Sequence, residues 1–209
     1  MTSLINTAAA LKYFKQNDTT MYNLLSKSLK HEKPISIPKP RSTKLYFESL
    51  VNAIIGQQIS TVAAAAIRKR VHVATGNINP ANVSKIHFDK LKACGLSEKK
   101  TRYIKENAVR WHEIPYGNFV HMTDHEIITE LTKLYGIGKW TAEMFLIFTL
   151  ARPDVYSYGD LGLTKSLQQN YNYKPHFVRK IHTTVENWSP HQTLASLALW
   201  HQKDNSPES

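Results

Sequence analysis

Cysteine is nearly absent from this chain. A single one, Cys94, stands in 209 residues, which excludes an internal disulfide, a four-cysteine zinc site and a cysteine-held iron–sulfur cluster. A reducing compartment is the expected setting. Acid is scarce as well: 16 Asp and Glu stand against 27 Lys and Arg, a formal charge of +11, so a polyanion is the natural partner. No apolar run approaches the roughly 20 residues that span a bilayer, and no helix joins a basic face to a strongly apolar one. Nucleic acid therefore comes before a membrane, although many soluble proteins are basic for no specific reason. The N-terminus "MTSLINTAAALKYFKQ" lacks the charged start and apolar core of a secretory signal. An intracellular location is expected, cytoplasm and nucleoid in a bacterium or nucleus in a eukaryote.

Strand-like alternation is missing too, and helical periodicity takes its place. It predicts helices near 4–15, 19–29, 44–56, 60–75, 88–94, 97–112, 124–135, 139–151, 161–170, 175–187 and 190–202, and hence an all-α fold. Ser60 and Ser97 sit where N-caps belong, and Thr123 with Glu126 forms a capping-box pattern. The proline-bearing stretch "HEKPISIPKPRST" is the one obvious break.

Chemistry concentrates in two places. In "LYGIGKW" two glycines and Lys139 join an amphipathic helix to the apolar "MFLIFTL". Gly136 and Gly138 can take positive φ and leave the backbone approachable. The next helix opens there with unpaired amides and the positive end of its dipole, so the turn suits a phosphate, gripped without reading bases. A tight turn between helices, with glycine as its C-cap, explains the same residues. Beyond it, "ARPDVYSYGDLGL" carries Asp154 and Asp160. Asp160 is placed to cap the helix at Leu161, and a cap carboxylate is compatible with catalysis, because helix amides favour its negative charge.

These residues resemble the helix-hairpin-helix and Gly/Pro-Asp superfamily of DNA glycosylases, and within it the 3-methyladenine, alkylation-repair branch. "NAIIGQQISTVAAAAIRKRV", "LKACGLSEKKTRYI" and "WSPHQTLASLALWH" resemble further segments of that branch, in the right order, over about residues 44–202. The resemblance implies two helical lobes, about 44–120 and about 121–202 with the N-terminal helices 1–30, and an active-site cleft between them. It makes Asp160 the essential aspartate. Gly136, Ile137, Gly138 and Lys139 become the hairpin that holds the DNA backbone, with a monovalent cation (Na+ or K+) a possible guest of its carbonyls and no other cofactor or metal implied. Trp140 and Trp200 line the base pocket, with Tyr156 or Tyr158 as further rings. Gln58 enters the gap left by the flipped base, and Ser60 belongs to the same turn. Gln192 stands where the branch usually has Arg, and Met144 where some relatives place an aromatic ring. The separate β-rich N-terminal domain of longer bacterial members is not expected here.

At the position of Trp140 the strand-cutting relatives carry a nucleophilic lysine. An indole forms no Schiff base, so water is the expected nucleophile and the expected enzyme has no lyase activity. The implied reaction is hydrolysis of the N-glycosidic bond of alkylated purines such as 3-methyladenine or 7-methylguanine in duplex DNA, by a monomer. A binding-only hairpin protein, or a glycosylase for uracil, a mismatched or an oxidised base, stays open beside it. Glu143 is expected to face solvent, Trp111 and Trp188 to anchor the core, and the basic residues Lys99, Lys100, Arg102 and Lys105 to form either a solvated face or a second backbone contact. The histidines show no ligand spacing that marks a metal site.

Overall fold

Side-chain caps start most of the helices. The computed structural model describes residues 5–174 and 176–205, and among them no strand occurs. The chain divides into two compact units, residues 41–145 and residues 1–40 with 146–209.

In the first unit α3 (Tyr46–Gly56) and α4 (Thr61–Thr75) flank the turn 57–60. α5 (Pro80–Lys85), α6 (Phe88–Lys92), α7 (Glu98–Arg110) and α8 (Asp124–Leu131) follow, and α9 (Lys139–Phe148) begins inside this unit. Ser60 and Ser97 accept the amides of Ala63 and Lys100, and both bonds of the Thr123–Glu126 capping box form. Helix α5 was not expected from periodicity. It is too short to show any, and its signal is local: Asn79 accepts the Asn82 amide and Pro80 occupies the first turn. Phe47, Leu50, Ile54, Leu91, Ile104, Phe119 and Ile127 are fully buried here, and Phe145 packs edge-on against Tyr46 and Phe119.

The other unit holds α1 (Thr7–Asn17), α2 (Thr19–Lys30), α10 (Leu161–Tyr171), α11 (Val178–Glu186) and α12 (Gln192–Asp204). Helix α12 is the spine, packed against α2 and α10. Phe14, Met21, Leu25, Leu163, Leu167, Val185, Leu194 and Ala198 form one core with Trp188. Asp18 ties this unit together: Oδ1 caps α2 through the Met21 amide at 2.9 Å, while Oδ2 accepts the Tyr171 hydroxyl at 2.6 Å and the Trp188 indole at 2.9 Å. Trp111 and Trp188, 4% and 0% exposed, are core anchors as expected.

Three expectations are corrected. The division anticipated near residue 120 falls at 145, inside α9, because α8 and the turn after it are fastened to α7. Asn107 donates to the Tyr135 carbonyl at 2.9 Å and accepts the Tyr135 amide at 2.8 Å, and Arg110 reaches the Lys133 carbonyl at 3.2 Å. The helices expected over 124–135 and 139–151 end at Leu131 and Phe148. Glu143, expected in solvent, is 5% exposed, since α9 is apolar nearly all round and buries most of its surface. The expected helix starts at Leu4 and Pro175 lie outside the described residues; the helices observed there begin at Thr7 and Val178.

Candidate active site and DNA-contacting turns

The first unit presents two turns. After α3 the chain turns at Gln57 and Gln58, and Gln58 adopts φ +59°, left-handed and exposed. A side-chain-bearing residue holds that conformation only where its surroundings impose it. Ser60 then caps α4, its Oγ accepting the Ala63 amide at 3.2 Å, which leaves the hydroxyl proton to donate elsewhere. The second turn is the hairpin. Gly136 has φ +74°, and a Cβ there would lie 2.3 Å from Cδ2 of Tyr103, so only glycine fits. Gly138 has no positive φ, and nothing lies within 4 Å of the position a Cβ would take. Of the two glycines expected to need unusual backbone, one does. The other leaves open space beside the first amides of α9, whose first closing bond runs from the Ala142 amide to the Gly138 carbonyl at 3.0 Å. The earlier amides of that turn have no intrahelical acceptor.

Ile137 is 5% exposed, so it offers a ligand its backbone and not its side chain. The Lys139 side chain is 72% exposed, its Nζ 3.8 Å from Glu143 Oε1, a separation too long to hold the charge away from a phosphate. Trp140 follows on the same turn, 43% exposed. Gln57 joins the two turns: its Nε2 donates to the Gly136 carbonyl at 2.9 Å and lies 3.4 Å from Thr141 Oγ1.

The α7 lysines divide by task. Lys100 donates to the carbonyls of Ile55 at 2.9 Å and Gln57 at 2.6 Å, and Lys105 to those of Val83, Ser84 and Ile86. Both serve the fold as cationic caps of helix C-termini. Lys99 and Arg102 stay exposed.

The second unit carries the carboxylate. Asp160 caps α10, Oδ1 accepting the Leu163 amide at 2.8 Å. The same oxygen takes the indole N–H of Trp200, on α12, at 3.3 Å. Phe148, at the end of α9, stacks on Trp200 with centroids 5.7 Å apart and an interplanar angle of 29°, and is 44% exposed. The structure thus brings Asp160 and Trp200 together and adds a ring that sequence reading passed over. Phe148 was hidden inside "MFLIFTL", where it reads as one more core residue; four positions after Met144, it shares that residue's helix face.

Tyr158 lies flat on His182, centroids 4.3 Å apart and planes at 10°. Tyr156 is 5% exposed, edge-on to Tyr158 and Trp188, and burial beside the Asp160 charge pushes its phenol well above the usual range. Tyr156 is therefore a wall residue and not a platform for a base. Asp154 is structural, accepting the Ser189 hydroxyl at 2.6 Å and the Gln192 amide at 3.2 Å. The Gln192 side chain turns to the Val185 carbonyl at 3.1 Å. Among the described residues, no three His, Cys, Asp or Glu side chains converge as metal ligands, and no helix is long and apolar enough to cross a membrane.

This arrangement can be set beside known proteins. The chain is 32% identical over 170 residues to DNA-3-methyladenine glycosylase 1 of Schizosaccharomyces pombe, covering 74% of this chain and 71% of that one. It spans 58% and 52% of the length of two further curated relatives. Its fold is similar to the crystal structure of DNA-3-methyladenine glycosidase from Bacillus halodurans, with a TM-score of 0.80 and 27% identity over 100% of this chain and 94% of that one. It is also similar to the 3-methyladenine DNA glycosylase of Schizosaccharomyces pombe in complex with abasic DNA, with a TM-score of 0.74 and 26% identity over 95% and 98% of the two chains. Residues 51–191 match the HhH-GPD superfamily base excision DNA repair protein family, and the chain belongs to it.

Proposed function

We propose that this chain is a monofunctional DNA glycosylase that hydrolyses the N-glycosidic bond of alkylated purines, of the 3-methyladenine and 7-methylguanine type, in duplex DNA. The observation that carries the reading is the Asp160–Trp200 bond beside the Phe148 ring, a carboxylate oriented next to partly exposed aromatic faces. A module that only grips backbone needs neither.

A purine alkylated at a ring nitrogen is cationic and leaves readily, so one carboxylate suffices where most sugar hydrolases use two. As the bond to C1′ lengthens, positive charge develops on the deoxyribose. Asp160, held by an amide and an indole N–H, offers negative charge that need not reorganise, and it can orient or deprotonate the attacking water. Flipping the base costs a few kcal/mol, offset where a cationic ring meets an electron-rich indole such as Trp200. Trp140 stands where a Schiff-base lysine would be required for strand cleavage.

The hairpin suits a monovalent cation. The carbonyls of Lys133, Tyr135 and Gly136 take Arg110, Asn107 and Gln57 as donors and that of Leu134 takes the Ile137 amide at 3.3 Å, so the Ile137 carbonyl is the one best placed to hold Na+ or K+. The working unit is a monomer on damaged duplex, in nucleoid or nucleus.

The test is release of free base from methylated duplex DNA by the native chain and by Asp160→Asn, with strand breaks scored before and after mild alkali. Release lost in the variant, with breaks only after alkali, is the expected result. Base release that persists in Asp160→Asn removes the catalytic assignment, and breaks without alkali remove the monofunctional one.

A further inference from the structure

One face of α7 fastens both DNA-contacting turns. Lys100, Tyr103, Asn107 and Arg110 follow at spacings of three, four and three, which places them in a single stripe. Lys100 holds the turn after α3 by the carbonyls of Ile55 and Gln57. Tyr103 packs against Gly136, Asn107 clamps Tyr135 through both backbone groups, and Arg110 takes the Lys133 carbonyl. The side chain of Gln57 then closes a ring, because it reaches the Gly136 carbonyl while its own carbonyl is held by Lys100. Gln58, next in line, is left in the left-handed conformation at the exposed tip.

We propose that Lys100 is a positioning residue for damage recognition, acting through Gln57 to fix Gln58 in the conformation that fills the gap left by a flipped base and to hold it in register with the hairpin. This rests on the glycosylase reading above. A backbone that must settle into a strained conformation only after meeting DNA draws on the binding energy of the damaged complex. Lys100 meets that cost during folding. Its ammonium is half-buried against carbonyls and not presented to a phosphate, and the same desolvation lowers its pKa. Its loss therefore acts on the extruded-base complex and leaves general backbone affinity alone.

The test compares the native chain, Lys100→Met and Lys100→Arg, each with and without Gln58→Ala, by fluorescence anisotropy on an undamaged duplex and on the same duplex carrying a tetrahydrofuran abasic analogue. Lys100→Met is expected to cut the preference for the abasic duplex about tenfold, with affinity for undamaged DNA unchanged. Lys100→Arg keeps the preference, and in the Gln58→Ala background Lys100→Met adds nothing. Equal loss on both duplexes identifies a phosphate contact and overturns the inference, as does an undiminished effect without the Gln58 side chain. A native chain with no preference for the abasic duplex overturns the proposed function and this inference with it. Lys100→Gln, which keeps a donor for one carbonyl, is read in the same way should Lys100→Met not fold.

Discussion

Trp200 and Asp160 share a hydrogen bond, indole Nε1 to Oδ1 at 3.3 Å, and the oxygen that receives it also accepts the Leu163 amide. One aromatic side chain thereby orients the carboxylate and offers a ring face. The two roles separate in Trp200→Phe, which keeps a ring and removes the donor. A hydrogen bond to a charged group contributes about 1.5–3 kcal/mol, and at this length the lower end applies. We expect the single-turnover rate of base release to fall about tenfold in Trp200→Phe with little change in half-saturation. In Trp200→Ala both parameters should suffer. Equal kinetics for the two variants would mean that the N–H contributes nothing.

Asp160 is both cap and candidate catalytic group, and substitution divides these too. Asn caps a helix as well as Asp does, whereas Ala costs about 1 kcal/mol. Asp160→Asn should melt within a degree or two of the native chain and release base at least about a hundredfold more slowly. Asp160→Ala should be as inactive and melt several degrees lower. Thermal denaturation beside the release assay decides the point.

The two hairpin glycines should respond in opposite ways. Gly136→Ala combines a disfavoured φ with a Cβ 2.3 Å from the Tyr103 ring and should cost about 2–4 kcal/mol of stability. Gly138→Ala meets open space, so its melting temperature should hold while affinity for duplex DNA falls, the methyl standing where a phosphate approaches. Paired melting and anisotropy curves test both, and a Gly138→Ala protein that binds normally would remove the hairpin from the interface.

Lys139 is exposed and only loosely paired with Glu143. Lys139→Ala should weaken binding to damaged and undamaged duplex alike and reduce the slope of log K against log salt by about 1. An unchanged slope in a salt titration would show that the ammonium meets no phosphate.

Helix caps and hairpin were legible because their signals are local: Ser60, Ser97, Thr123 and Asp160 each act within four residues of chain. Long-range ties were not. Nothing in "GQQIS" shows that Gln57 reaches the carbonyl of Gly136, 79 positions away, and nothing in "SEKKTRYIKENA" separates Lys100 and Lys105, which cap helices, from Lys99 and Arg102, which face solvent. Glu143 was misplaced because an acid one turn into a helix complements the dipole whether exposed or buried. The lobe boundary was misplaced because the Asn107–Tyr135 clamp has no sequence signature.

Phe148 offers the sharpest test of the base platform, since it was found only in the structure. It is 44% exposed yet stacked on Trp200, and exposing an aromatic ring yields no folding stability unless something covers it. A stacked aromatic pair contributes about 0.5–1.5 kcal/mol beyond area burial, so Phe148→Ala should leave the fold intact and raise half-saturation for methylated duplex several-fold. Phe148→Leu keeps the apolar volume and loses the π face. If a cationic base is selected through aromatic faces, Phe148→Leu should lose discrimination between 7-methylguanine and neutral lesions such as hypoxanthine, while a merely hydrophobic contact would be restored by leucine. Competition between the two lesions in one reaction gives the ratio directly, and a ratio equal to that of the native chain would assign Phe148 to packing alone.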